Sequence, residues 1–109
     1  MTKFIDQFYK LDKQSQKQIE KLYHSWVLEQ NCCFTGSQNV SRPHHHRQVG
    51  YCGMGQKPDM IWELPITYQK HTEIHTKGVK AFARRYKIDF IDLLTKLHEQ
   101  FCEEMDIEL

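Results

Sequence analysis

Long apolar stretches are missing from this 109-residue sequence. No run approaches the roughly 20 residues that a membrane-spanning helix requires. Residues 1–10 carry charges where a signal peptide needs an uninterrupted apolar segment, so the reading is of a cytoplasmic protein with no membrane partner. No C-x-x-C occurs anywhere: Cys32 and Cys33 are adjacent, and Cys52 and Cys102 stand alone. That excludes zinc-finger spacing and, with no export signal, points to reduced thiols rather than a disulfide framework. Glycine and proline are scarce outside residues 31–65, which hold four of the five glycines and all three prolines. Net charge is also nearly absent, with 15 Lys+Arg against 14 Asp+Glu. The balance hides a separation of signs, because residues 76–88 contain Lys77, Lys80, Arg84, Arg85 and Lys87 and no acid, while everything after Lys96 is acidic or neutral. One face is therefore expected to be basic. A chain of this length makes one small domain and leaves no room for two.

The periodicities that are present predict mostly helix. Ile19, Leu22, Tyr23, Trp26 and Val27 recur as the stripe of an amphipathic helix over residues 12–30, and Phe4, Phe8 and Leu11 predict a short helix before it. Residues 31–65 cannot form a long helix, and their short apolar pieces at 39–40 and 60–64 predict a two-stranded ribbon with an irregular loop. Pro65 permits a helix start before Ile66, and Gly78 punctuates it. Val79, Phe82, Ala83 and Tyr86 continue at helical spacing. A last helix, capped by Asp89, would bury Phe90, Leu93, Leu94, Leu97 and Phe101. Tyr23, Trp26 and Phe82 are assigned to the same core, which leaves no stacking platform for single strands. The resulting organisation is an α+β domain over residues 1–109, with a helical segment at 1–30, a core at 31–86, and a C-terminal helix and acidic tail at 87–109.

Five of the seven histidines fall between residues 44 and 75, where the apolar pattern is weakest. His71 and His75, four apart, project from one helix face one turn apart. Neutral imidazole is the commonest side-chain metal ligand, and two helix-borne ligands require a third from elsewhere. An extended strand packed against the helix can supply it, with a neighbouring histidine held close as general base on a water. The run His44, His45, His46 offers both. Other metal motifs fail: H-T-E-I-H at 71–75 puts its Glu at the wrong position for H-E-x-x-H, and no P-C-x-x-C follows it as a zinc deaminase needs.

Residues 32–86 read C-C-F-T-G, H-H-H-R, G-Y-C-G-M-G-Q-K-P-D-M-I-W-E-L-P, K-H-T-E-I-H and G-V-K-A-F-A-R-R-Y. In this order and spacing the stretch resembles the small phage and prophage HNH endonucleases, most closely the RecA-dependent Ref-type nucleases. The resemblance implies a ββα-metal (His-Me finger) centre, in which a two-stranded ribbon and a helix flanked by N- and C-terminal helices hold one divalent cation over a DNA phosphodiester. It implies His44, His71 and His75 as metal ligands, His45 as the general base, and Asp59 as the residue orienting the base imidazole. A register with His45 as ligand and His46 as base stays open. Relatives often carry two C-x-x-C pairs on a structural zinc; here Thr35 stands at one of those positions, and Thr67 and Lys70 at the second pair. Arg42, Arg47, Lys57, Lys77, Lys80, Arg84 and Arg85 would track flanking phosphates. The implied activity is divalent-metal-dependent DNA hydrolysis in phage recombination inside a bacterial host, using magnesium or manganese with zinc as a tightly bound species, and with a RecA-type filament as partner. Two rivals stand beside it: a DNA-binding recombination or replication accessory protein with little turnover, and an interaction module holding structural zinc through Cys32, Cys33 or Cys52.

Overall fold

The computed structural model describes residues 2–37, 43–47 and 58–109. Its elements are α1 (Lys3–Phe8), α2 (Lys13–Leu28), β1 (His44–His45), a 3-10 turn (Met60–Trp62), β2 (Glu63–Leu64), α3 (Tyr68–Lys77), α4 (Val79–Tyr86) and α5 (Phe90–Met105). The architecture is α+β, mostly helical, with one two-stranded antiparallel ribbon that pairs His44 with Leu64 and His45 with Glu63. Among the described residues no helix is long and apolar enough to cross a membrane.

Local signals set the helix boundaries. The Asp12 carboxylate accepts from the Ser15 amide at the start of α2, and Asp89 does the same for Ile91 and Asp92 at the start of α5. Gly78 separates α3 from α4 at φ +89° and ψ 155°, a region essentially reserved for glycine. The predicted strand at 60–64 is confined to Glu63–Leu64, because the Trp62 amide reaches back to the Asp59 carbonyl and winds Met60–Trp62 into a 3-10 turn. The strand expected at 39–40 lies outside the described residues; the partner of β2 is instead the polar pair His44–His45.

The core gathers Phe4, Ile5 and Phe8 of α1, Tyr23, Trp26 and Val27 of α2, Ile61, Trp62 and Leu64 of the turn and ribbon, Ile74, Phe82, and Phe90, Leu94 and Phe101 of α5. Leu22, expected in the stripe of α2, lies at its exposed margin. On α5 the inward face is Phe90, Leu94, His98 and Phe101, with Leu93 and Leu97 only half-buried. The acidic end turns back, since the Ile107 amide donates to the Cys102 carbonyl and Ile107 and Leu109 pack against the core. The described cysteines, Cys32, Cys33 and Cys102, are free thiols.

His98 is fully buried beneath Phe4, whose ring stacks on it at 4.2 Å. Its Nε2 lies 2.6 Å from the Ile61 carbonyl, which can only accept, so the proton is on Nε2. Burial pushes its pKa down to about 4, against a weaker upward pull from the Ile61 carbonyl. In the unfolded chain this imidazole titrates near ~6.5. Between these values the unfolded chain binds a proton that the folded one refuses, so stability is complete above the unfolded value and is lost as pH falls towards the folded one. The loss amounts to roughly 3 kcal/mol. A His98→Gln protein, which keeps a donor for Ile61, is therefore less acid-sensitive than wild type in urea unfolding at pH 7 and pH 4.5. Equal pH dependence in the two proteins would contradict this.

Candidate metal centre

The pleat of the ribbon divides the histidine run. Alternate strand residues face opposite sides, so His45 shares a side with its cross-strand partner Glu63, while His44 turns towards α3. His46 donates its amide to the Trp62 carbonyl at 3.0 Å and lays its ring flat on Phe90, 5.0 Å away. Of the three, His44 is the one grouped with His71 and His75: one ligand atom from each lies within 4.8 Å of the others. The ring centroids of His71 and His75 are 4.6 Å apart, and that of His44 is 6.0 and 6.1 Å from them.

Each member is held from outside the cluster. The Thr67 hydroxyl accepts from the Lys70 amide and starts α3, and buried Ile74 anchors the helix so that His71 and His75 face the ribbon. His44 is 5% exposed and lies beside Phe90. Its pKa is pushed down to about 3, first by burial and then by the surrounding His71, His46, His75 and His45, so it presents a neutral ring at pH 7. The Nε2 of His44 is buried with no hydrogen-bond partner among the described residues. A buried imidazole nitrogen without a partner is costly unless something else takes its lone pair. The donor set of three imidazoles fits a borderline divalent ion.

A second set of polar contacts ties the ribbon and its preceding turn to α2 and Tyr9. Glu63 is completely buried, with its carboxylate 3.8 Å from Nε2 of His45 and 2.8 to 2.9 Å from Nδ1 of His24 on α2. Asp59, expected to orient His45, receives a hydrogen bond from the Tyr9 hydroxyl at 2.8 Å, and that hydroxyl accepts from the Trp62 indole. Glu63 thus also brings a carboxylate beside His45. Neither His24 nor Glu63 was expected in the site, although a charged residue inside M-I-W-E-L-P was a visible signal.

Around Cys32, Cys33 and Lys70, hydrogen bonds join the neighbouring segments. Burial raises the Cys32 thiol pKa, but hydrogen bonds from the Thr35 hydroxyl and the amides of Phe34, Thr67 and Thr35 outweigh it and leave it lowered. The Cys33 amide donates to the Pro65 carbonyl, while burial pushes the Cys33 thiol pKa up to about 12. Lys70 donates to the Tyr86 hydroxyl at 2.7 Å, which donates to Glu73 at 2.9 Å, tying α4 to α3.

The basic residues occupy this tied unit. Lys77, Lys80 and Arg84 are exposed, and Lys80 and Arg84 are one turn apart on α4. Arg85 is also exposed but leans 3.9 Å from Glu73 and 5.5 Å from the Tyr86 ring. Arg47 is exposed just after the ribbon, and Arg42 and Lys57 lie outside the described residues.

A family profile described as "Protein of unknown function (DUF968)" matches residues 6–101. The chain belongs to the DUF968 family. The matched segment contains His24, His44, His45, Glu63, His71 and His75. The chain is also 35% identical over 81 residues to a protein of Escherichia coli (strain K12) named "Uncharacterized protein YdfU". That alignment covers 74% of this chain and 22% of the relative, so the chain spans under a quarter of that protein's length. No solved structure matches the chain.

Proposed function

We propose that this DUF968 domain is a divalent-metal-dependent endonuclease acting on DNA, with a ββα-metal centre formed by the ribbon and α3. The observation that carries the proposal is the grouping of buried His44 with the His71 and His75 pair, one ligand atom of each within 4.8 Å of the others, while Nε2 of His44 has no hydrogen-bond partner among the described residues and His45 is directly adjacent in the chain. His44, His71 and His75 would hold the ion. When bound, such an ion neutralises the scissile phosphate and the departing oxygen. His45, on the other side of the ribbon edge, takes the proton from the attacking water. The resemblance to HNH nucleases points to the same residues in the same roles.

Lys77, Lys80 and Arg84 supply the electrostatic part of DNA binding. Duplex affinity falls with salt by about 0.9 in log-log slope per phosphate contact. The combined Lys77→Gln, Lys80→Gln, Arg84→Gln protein is therefore expected to bind duplex DNA more weakly, with a salt slope smaller by roughly 2 to 3. Fluorescence anisotropy across a salt series measures this, and an unchanged slope would place the DNA on another face. Metal affinity stays as in wild type. Cleavage of plasmid and single-stranded circles in magnesium, manganese, zinc or EDTA tests the activity itself, with a recombinase filament as an added arm.

A further inference from the structure

We infer that His24 and Glu63 are a positioning pair for His45, with the Glu63 carboxylate setting the orientation and proton placement of the His45 ring and His24 holding that carboxylate in place. The inference rests on the nuclease reading of His45 and extends it to α2, whose apolar face also builds the core.

Burying a carboxylate is unfavourable unless close partners compensate it. Glu63 is 0% exposed, yet it sits in a strand whose neighbours Trp62 and Leu64 are apolar and equally buried. Two consecutive residues of α2 serve it. The Tyr23 hydroxyl donates to the Glu63 backbone carbonyl at 2.8 Å, and His24 Nδ1 lies 2.8 and 2.9 Å from the two carboxylate oxygens. A carboxylate only accepts, so His24 donates through Nδ1. The antiparallel register puts His45 directly opposite Glu63 and on the same side, with Nε2 3.8 Å from Oε2. That separation is beyond a hydrogen bond but within ion-pair range. It favours the tautomer with the proton on Nε2, pointing at the carboxylate, so that Nδ1 is the nitrogen able to accept a proton. In histidine sites the partner on one ring nitrogen fixes what the other can do. A plain anchor between α2 and the ribbon would need His24 and Glu63, but it would not need Glu63 to face His45.

The test uses the full chain in wild-type, Glu63→Gln, His24→Ala and His24→Asn forms, the last retaining a donor near the place of Nδ1. Three readouts are taken: kcat and KM for DNA cleavage in manganese, manganese affinity, and the His45 tautomer by long-range nitrogen-proton NMR of the metal-free protein. Glu63→Gln and His24→Ala are expected to lower kcat by roughly 10- to 100-fold, with KM and manganese affinity unchanged and the His45 tautomer shifted. His24→Asn restores most of kcat. A folded His24→Ala protein with wild-type kcat and an unmoved His45 tautomer overturns the inference. If Glu63→Gln does not fold, the two His24 variants decide the matter, since His24 is partly exposed on a long helix. If the wild type cuts nothing, the nuclease reading fails, and the tautomer readout still decides whether the pair governs His45.

Discussion

Replacing His45 with alanine is expected to lower metal-dependent DNA cleavage by about 10²- to 10⁴-fold, the usual contribution of a positioned general base. Metal affinity and folding are expected to stay as in wild type. The three proposed ligands are other residues, and the His45 side chain is 21% exposed at the ribbon edge, so its removal leaves no large internal void. His46→Ala provides the contrast. His46 is buried and stacked on Phe90, so its loss costs packing and lowers the urea midpoint, while residual cleavage per folded molecule persists. Activity measurements on both proteins, normalised to the folded fraction by circular dichroism, separate the two registers. If folded His46→Ala is dead and His45→Ala is active, His46 is the base and the assignment of roles within the run is wrong.

The second large effect concerns the ion. His71→Ala or His75→Ala is expected to weaken manganese or cobalt binding by more than about 100-fold, since loss of supporting groups around a metal site alone costs roughly 10- to 100-fold. These are clean substitutions. His75 is exposed and His71 half-buried on α3, where alanine is a good helix former and Ile74 keeps its anchoring place. His44→Ala is expected to remove binding too, but it also empties a buried position beside Phe90. Isothermal titration with each variant gives the affinity directly. Wild-type affinity in both α3 variants would show that the three histidines do not share an ion.

Much of this arrangement is legible in the sequence because its signals are local. Asp12 and Asp89 announce helix starts within three residues of the amides they cap, and the spacing of His71 and His75 places them on one face whatever the rest of the chain does. The need for a third ligand from an extended segment follows from coordination chemistry, and His44 is the histidine of the run that the structure groups with His71 and His75. The ribbon itself was harder to find. Its first strand is the polar pair His44–His45, which carries no alternation of apolar residues, and most of the apolar piece at 60–64 winds into a 3-10 turn. His24 and Glu63 are 39 positions apart and meet only once α2 packs on the ribbon, so no spacing rule connects them. His98 occupies a core position of α5 that the apolar pattern assigned to its leucine neighbours, and the partner that holds its Nε2, the Ile61 carbonyl, is 37 residues away.

The most direct test of the central claim is incubation of the purified wild-type chain with supercoiled plasmid in manganese or magnesium, beside the same reaction in EDTA, followed by gel electrophoresis. The account predicts nicked and linear DNA with metal and intact supercoils in EDTA. Intact plasmid and intact single-stranded circles under every metal, with or without a recombinase filament, from a folded protein that still binds DNA, would contradict it and leave a DNA-binding module.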